Sequence, residues 1–230
     1  ALPDDPLARL LALGARHFAP LEDFPEARAF WWPRFERIAR WFADWEQKRR
    51  GHLEAVLAEI RGEIEIPLGE RNFRLSARAD RIERLGGGDY AILDYKTGRL
   101  PSTQQVAVGL SPQLTLEGAI LRAGKFGDIS PGASIAALVY VSLRGGDPGG
   151  EEKPLDFKDA TPDQQADRAL QKLGEVARRF EDPATPYRSR ERPMFQGRAY
   201  GDYDHLARVK EWSLSGGVGE DAEAGDDRAS

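Results

Sequence analysis

The feature that most constrains the fold of this chain is a pair of strand-like segments joined by a glycine turn. Residues 72–79 alternate polar and apolar side chains, and residues 90–97 form a mostly apolar run, so both predict β-strands. Between them, Leu85-Gly-Gly-Gly-Asp89 predicts a turn. A turn centred on Gly87 sets three cross-strand pairs, which are Asp80 with Asp94, Ile82 with Ile92 and Arg78 with Lys96. Because a slip of one residue would destroy all three pairs, we expect an antiparallel hairpin in this register.

This register places two carboxylates against each other. Side chains directly opposed on antiparallel strands have Cβ atoms about 4.5–5.5 Å apart, so Asp80 and Asp94 repel each other. Ile82 and Ile92 lower the local dielectric, so the pair must share a proton or hold a cation. Oxygen ligands select hard ions, which predicts magnesium or manganese. Lys96 projects from the same face as Asp94, where it suits stabilising charge on a phosphate oxygen or deprotonating a water molecule.

A simpler interpretation of these residues is a surface ladder of ion pairs. Asp80 and Asp94 would then pair with Arg78, Arg81 and Lys96 on an exposed face of the sheet, where such pairs are common. Against this interpretation, Asp94 follows the apolar run Tyr90-Ala-Ile-Leu, which predicts burial, and a buried Asp without a role is uncommon.

The rest of the chain predicts a mixed α/β fold. Apolar residues at helical spacing indicate helices at both ends of the chain, and two further runs predict strands. The predicted helices are 6–18, a long helix opening at Pro33 with an apolar stripe from Trp31 to Trp45, 53–59, 111–123 and 161–180; the predicted strands outside the hairpin are 63–67 and 135–143. Residues 147–153 read as a loop. The order predicts an α/β sandwich around a mixed sheet, with an N-terminal antiparallel meander flanked by helices.

Composition removes several classes of function. The 230 residues include no cysteine, which excludes disulfides, zinc ribbons, thiol nucleophiles and iron–sulfur clusters. The sequence has no apolar run long enough for a membrane span and no signal peptide at its start, so we expect a cytoplasmic location. No Walker-type loop is present, so we expect no nucleotide to bind this chain. The formal net charge of −5 is concentrated in an acidic tail.

Two short strings then identify a family. Asp80, thirteen intervening residues and Asp94-Tyr-Lys96 resemble the signature of PD-(D/E)XK nucleases. Arg78-Ala-Asp-Arg-Ile-Glu83 and Asp94-Tyr-Lys-Thr-Gly98 are similar to the RecB-type branch, whose restriction-endonuclease-like fold we therefore expect. The strings Phe30 to Ile38 and Tyr203 to Ser213 look like the C-terminal nuclease domain of AddB proteins of the alphaproteobacterial type.

The resemblance implies roles for particular residues. Asp80 and Asp94 would be metal ligands, and the backbone carbonyl of Tyr95 would complete the site. Lys96 would be the lysine of the motif and Gln113 would line the same cleft. A third acid is expected on the turn before the sheet, where Glu59 is the first candidate and Glu63 the competitor. Four residues after Gln113 the branch usually has Tyr, but this chain has Glu117, which could still point inward and whose role stays open.

The same resemblance implies a biological setting. Proteins of this kind join an AddA-type helicase–nuclease and process double-strand DNA ends for recombinational repair, with single-stranded DNA as the substrate and a nucleoid-associated place of action. The branch also has a metal-binding His in a Gly-x-x-x-His-x-x-Leu-Glu helix, which none of the three His residues matches, so we expect that motif upstream of residue 1. The alternatives are a non-catalytic scaffold that binds partner or single-stranded DNA, and a stand-alone repair or restriction-like endonuclease.

The expected organisation has four parts. Residues 1–60 form an N-terminal helical part, 61–181 the catalytic α/β core, 182–215 an extended segment with a short helix that docks back, and 216–230 a disordered acidic tail. Candidate DNA contacts are Arg78, Arg81, Arg188 and Arg190, of which the last two alternate with aromatic residues.

Overall fold

The computed structural model describes residues 2–186, and its elements up to Glu181 form one compact unit. The helices are α1 (Pro6–Phe18), a 3-10 turn (Ala19–Leu21), α2 (Pro25–Arg50), α3 (Thr103–Ala107), α4 (Gln113–Arg122) and α5 (Pro162–Glu181). The strands are β1 (Leu53–Leu68), β2 (Arg71–Leu85), β3 (Tyr90–Lys96), β4 (Ile135–Ser142) and β5 (Glu151–Pro154). Within residues 2–186, no helix is long and apolar enough to cross a lipid bilayer.

The five strands form one mixed sheet in the order β1-β2-β3-β4-β5. The first three strands are an antiparallel meander, β4 runs parallel to β3, and β5 returns antiparallel to β4. Because a parallel neighbour needs a crossover, helix α4 lies between β3 and β4 in the chain. This is the predicted mixed α/β architecture with its N-terminal meander flanked by helices, consistent with a restriction-endonuclease-like fold.

The two faces of the sheet are covered by different helices. On one face, Ile82, Ile92 and Leu138 are buried in the larger apolar cluster, to which α4 and α5 also contribute. On the other face, Leu93 and Val139 belong to a smaller cluster against which Trp41 and Trp45 of α2 pack. Alternation along β3 therefore sends even-numbered side chains such as Asp94 to the α4 face and odd-numbered ones such as Tyr95 to the α2 face.

Three predictions of local structure are wrong. Residues 53–59 are the start of β1 and not a helix. Strands β1 and β2 both change phase near Glu59, whose φ is +54°. As a result, Leu57 and Ile60 pack in the same cluster although they are three residues apart, a spacing that imitates a helix. Helix α2 begins at Pro25, so Pro33 lies inside it, and part of the predicted loop is the short strand β5.

Candidate active site

The hairpin forms in the predicted register but opens before it reaches the two carboxylates. Ile82 pairs with Ile92 and Arg81 with Leu93, as a turn centred on Gly87 requires. The ladder then ends, and the backbone N–H of Tyr95 donates a hydrogen bond of 3.0 Å to Oδ2 of Asp80. Asp80 thus replaces a main-chain acceptor at the point where the strands separate. The predicted pair of Arg78 with Lys96 does not form, because the ladder between β2 and β3 ends at Arg81 and Leu93.

Asp94 is the buried centre of the site, with 1% of its surface exposed. Its Oδ1 accepts hydrogen bonds from Lys96 Nζ at 3.0 Å and from Gln113 Nε2 at 2.6 Å. Oδ2 lies 2.8 Å from Lys96 Nζ as an ion pair, but within residues 2–186 it accepts no hydrogen bond. Burial raises the pKa of Asp94 above its ordinary value; Lys96 opposes the rise and Asp80 adds to it.

Helix α4 brings the polar side chains that complete this cluster. Gln113 is the first residue of α4 and Glu117 lies one turn later, so both face β3. Gln113 accepts a hydrogen bond from Lys96 at 3.0 Å through its Oε1. Its Nε2 also lies 3.2 Å from Glu117 Oε1, to which it donates. One amide side chain therefore fixes the positions of an ammonium group and two carboxylates.

Glu117 points inward, the orientation that its spacing from Gln113 allowed. It is 2% exposed, and its Oε2 has no hydrogen-bond partner within residues 2–186. Burial raises the pKa of Glu117 to about 7, and the negative charges of Asp94 and Asp80 contribute to the rise. Burial likewise raises the pKa of Tyr140, the register partner of Asp94 on β4, to about 12, with Asp94 and Glu117 adding to it. Sequence reasoning did not select Tyr140, because it reads as one more apolar residue of a buried strand.

The donor set suits a divalent cation by its chemistry. When all three are ionised, Asp80, Asp94 and Glu117 carry three negative charges against the single positive charge of Lys96, an excess of two. Within residues 2–186, Glu117 Oε2 has no donor, and leaving such a buried group unpaired costs about 1–3 kcal/mol. In residues 2–186 as their side chains lie, however, no three His, Cys, Asp or Glu residues stand close enough to hold a metal. The residues thus fit a divalent cation by their charge and their oxygen ligands, while Asp94 accepts hydrogen bonds from Lys96 and Gln113.

The two candidates for the third acid lie outside this cluster. Glu59 forms an ion pair of 2.8 Å with Arg78, and Glu63 forms one of 3.1 Å with Arg74. Glu59 does share a cavity of about 380 Å³ with Asp80 and Tyr95, which opens between the sheet and helices α1 and α2. Asp80 therefore lies between a pocket that contains Glu59 and a cluster that contains Glu117. Glu59 stays a prediction for the third acid of the site, and Glu117 is a new candidate for that role.

The prediction that Arg81 contacts DNA is wrong, because this side chain is buried on the α2 face. It is 5% exposed and donates to Glu46 at 2.6 Å and to Glu83 at 2.7 Å. Burial acts to lower the pKa of Arg81, but its hydrogen bond to Glu46, with contributions from Tyr95 and Glu83, raises it above the ordinary value. Arg78 is exposed, as a DNA contact requires. Arg188 and Arg190 lie outside the described residues.

Arg81 belongs to a charged network that sequence reasoning missed. Arg49 donates to Glu83 at 2.8 Å and to Glu152 of β5 at 2.8 Å, and Arg50 pairs with Glu46. Three arginines thus pair with three glutamates on the α2 face of the sheet. These six residues are Arg49, Arg50, Arg81, Glu46, Glu83 and Glu152. Arg81 also lies 3.3 Å from the hydroxyl of Tyr95, to which it donates. This network, which we call the arginine–glutamate network, is the opposite-face neighbour of the Asp94 cluster.

The comparisons agree with the family that the two motif strings indicate. A family model described as the PD-(D/E)XK nuclease superfamily matches residues 3–193. That match covers most of the chain, and the chain belongs to this superfamily.

Relatives and solved structures add little to this assignment. An uncharacterized protein of Rickettsia typhi is 33% identical over 90 residues, which are 39% of this chain and 10% of that protein. One from Rickettsia bellii is 33% identical over 87 residues, 38% of this chain and 10% of that protein. The chain thus spans about a tenth of the length of these relatives. The crystal structure of SSO0001 aligns with a TM-score of 0.33 and 15% identity, covering 75% of this chain and 79% of that one.

Proposed function

We propose that this chain is a metal-dependent nuclease domain that hydrolyses DNA phosphodiester bonds. The observation that carries the proposal is the buried Asp94 cluster, where Glu117 Oε2 has no donor in residues 2–186 and Asp94 Oδ2 has only the ammonium group of Lys96 beside it. A buried excess of negative charge is unfavourable unless the site takes up a proton or binds a cation. Membership of a superfamily of nucleases supports the same conclusion.

The ion would be magnesium or manganese, held by Asp80, Asp94, Glu117 and the backbone carbonyl of Tyr95. When bound, it would lower the pKa of a water molecule and neutralise charge on the phosphate oxygens. The residues of the chain do the rest. Lys96, which is partly exposed, presents its ammonium group to a phosphate that enters the cleft. Gln113 keeps Lys96 and Asp94 in place through its two hydrogen bonds, which reduces the reorganisation that binding requires.

In its wider setting, we propose that the domain serves a helicase–nuclease of the AddAB type, which processes double-strand ends for recombinational repair in the cytoplasm. The supporting observations are the AddB-like strings described above and the length of the relatives, about ten times the matched segment. The partner would be an AddA-type subunit and the substrate single-stranded DNA from unwound ends. Co-purification of the chain with an AddA-type subunit tests this setting.

A second candidate is a non-catalytic module of the same fold. It is favoured by the ion pair of Lys96 with Asp94 and by the absence of a three-acid cluster within residues 2–186. In that case Lys96 would act as the permanent counter-ion of Asp94, and the domain would bind DNA or its partner without cutting.

Cleavage of labelled single-stranded DNA separates the two candidates. The chain is incubated with magnesium, with manganese or with EDTA, beside Asp94→Asn, which preserves the shape of the side chain but removes its charge. Glu151→Gln is the matched control, because Glu151 is an exposed acid outside the cluster. We expect metal-dependent cleavage by the wild type and by Glu151→Gln, and a loss of about a hundredfold or more in Asp94→Asn. Equal cleavage rates for Asp94→Asn and the wild type would contradict the nuclease proposal and favour the non-catalytic module.

A further inference from the structure

A strongly basic groove lies on the hairpin of β1 and β2, beside the candidate active site. Its cavity has a volume of about 580 Å³. Four basic side chains and one acidic side chain contribute to its wall, together with small residues; the charged residues are Arg61, Arg74, Arg78, Lys125 and Glu63. Within residues 2–186, no aromatic side chain lines this groove, so its chemistry suits anionic groups and not stacked bases.

The charges in the groove are not balanced within the described chain. Arg74 pairs with Glu63 and Arg78 pairs with Glu59. Arg61 and Lys125 form no ion pair in residues 2–186, which leaves two positive charges without partners. Moreover, Arg61 stands directly opposite Arg78 in the ladder. Like charges in that position destabilise a sheet, a penalty that a bound anion would remove.

The backbone holds Lys125 beside this arginine pair. Phe126 forms an isolated antiparallel bridge with Gly62 of β1. A Cβ atom at position 62 would lie 2.6 Å from the ring of Phe126 and from Ile120, so only glycine permits this approach. Glycines at 124 and 127, both with positive φ, form the tight turn on either side. Lys125 therefore reaches the groove because the fold fixes its main chain, and not because a long surface side chain happens to extend there.

The groove also leads to the Asp94 cluster. Arg78 precedes Asp80 by two residues on β2, about 7 Å along the strand. Its ion-pair partner Glu59 shares a cavity with Asp80. An extended anionic chain in the groove would thus pass Arg78 and arrive at Asp80. Arg61 and Arg78 lie on neighbouring strands about 5 Å apart, so they converge on one phosphate chain rather than on the two backbones of a duplex, about 6–12 Å apart across its grooves.

We propose that this groove binds the sugar–phosphate backbone of a single DNA strand and directs it to the Asp94 cluster. The second half of this statement rests on the proposed nuclease function, whereas strand binding does not. The contacts would be to phosphates alone, so affinity would be insensitive to base sequence and strongly dependent on salt. Arg61 and Lys125 would each neutralise one phosphate, with Arg78 as the contact nearest the cluster.

The test measures binding of the full chain to a fluorescent single-stranded oligonucleotide in EDTA, so that no cleavage occurs. The double variant Arg61→Gln, Lys125→Gln is compared with Lys158→Gln, Arg168→Gln, which removes the same charge from exposed positions outside the groove. Single strands release about 0.7 counter-ions per phosphate contact, so the slope of log K against log salt should become shallower by about 1.4. We expect affinity to fall about tenfold or more near 0.1 M salt, with the control pair unchanged.

A charge-preserving variant distinguishes phosphate binding from a structural role of the same residues. Arg61→Lys, Lys125→Arg keeps both charges and should keep the wild-type slope, which a merely structural role would not predict. Wild-type affinity and slope in the Gln double variant would overturn the proposal, and so would tighter binding of a duplex than of its single strand. Cleavage is assayed separately. A chain that binds through Arg61 and Lys125 but never cuts would disprove the nuclease function alone, whereas one that cuts but binds independently of them would disprove the groove alone.

Discussion

The two faces of the sheet bury charge in opposite ways. On the α2 face, the arginine–glutamate network sets three positive against three negative side chains, joined by hydrogen bonds of 2.5–2.9 Å, with Arg81 Nη2 left without an acceptor in residues 2–186. On the α4 face, the Asp94 cluster sets one lysine against three carboxylates and leaves Glu117 Oε2 without a donor in the same residues. Tyr95 connects the two sides: its backbone N–H donates to Asp80 of the Asp94 cluster, and its hydroxyl accepts from Arg81 of the arginine–glutamate network. The arginine–glutamate network balances its charges within the protein, whereas the Asp94 cluster has an excess of carboxylates that a bound cation would offset.

The largest effect should come from breaking the balanced network at its centre. Arg81→Met removes one of the two arginine partners of each of the buried carboxylates Glu46 and Glu83, and leaves a net negative charge in the network. Breaking a buried ion pair on one side costs about 3–5 kcal/mol. Urea unfolding should show this loss in the free energy of unfolding. Arg84→Met, on the same strand but with an exposed ion pair to Glu54, should lose less than about 1 kcal/mol. Similar losses in the two variants would contradict the comparison.

The unbalanced cluster should respond in the opposite direction. Glu117→Gln replaces a buried, poorly paired carboxylate with a neutral group of the same shape, so the metal-free fold should become more stable. The folded pKa is about 7 against an ordinary 4.5, so the wild type loses stability as pH rises from 4.5 to 7. The gain of the variant is therefore absent below pH 4.5 and complete above pH 7, where it reaches about 3 kcal/mol.

Thermal unfolding in EDTA at pH 4.5 and pH 8 checks this expectation. The exposed Glu151→Gln is a suitable control, and its stability should change little at either pH. A Glu117→Gln variant that is less stable than the wild type at pH 8 would show that the carboxylate has a partner which stabilises its charge.

Metal binding should be specific to the unbalanced face. A ligand that binds the folded chain alone stabilises it by RT ln(1 + [L]/Kd), about 1.4 kcal/mol at ten times Kd. Millimolar magnesium or manganese should therefore raise Tm of the wild type, and this shift should vanish in Asp94→Asn. Trp45→Phe loses the indole hydrogen bond to Glu152 in the other network and should keep the shift. Melting curves unmoved by either ion would count against a formed metal site.

The sequence predicted the hairpin of this site well because its information is local. Alternation and the glycine turn determined the register that sets Ile82 against Ile92, and a helical spacing of four placed Glu117 beside Gln113. The burial of Asp94 followed from the apolar run before it. In each case the residues that determine the arrangement lie within about twenty positions of one another, so the pattern carries the geometry.

The features that were missed depend on contacts between distant segments. Arg81 reads as an exposed strand residue until Glu46 of α2 meets it, 35 positions earlier in the chain. Strand β5 reads as a loop because its first three residues, Glu151-Glu-Lys153, are charged and Pro154 follows them, and only its pairing with β4 makes it a strand. The start of β1 was predicted as a helix because the change of phase near Glu59 imitates helical spacing. Local pattern cannot reveal a partner that only the tertiary fold provides.

The smallest effect should come from cutting the connection between the two networks. Tyr95 donates its backbone N–H to Asp80, while its hydroxyl accepts from Arg81 at 3.3 Å, a long hydrogen bond. Tyr95→Phe keeps the backbone and removes only the hydroxyl, so the free energy of unfolding should fall by no more than about 1 kcal/mol. Tyr90→Phe on the same strand is the matched control.

The same variant tests whether the two networks are independent. If they are, the rate of DNA cleavage and the magnesium-dependent rise in Tm in Tyr95→Phe should stay within about twofold of the wild type. A twofold change in rate corresponds to about 0.4 kcal/mol. A tenfold loss of cleavage without loss of stability would instead show that the balanced network positions Asp80 through the ring of Tyr95, and the two faces would then have to be treated as one site.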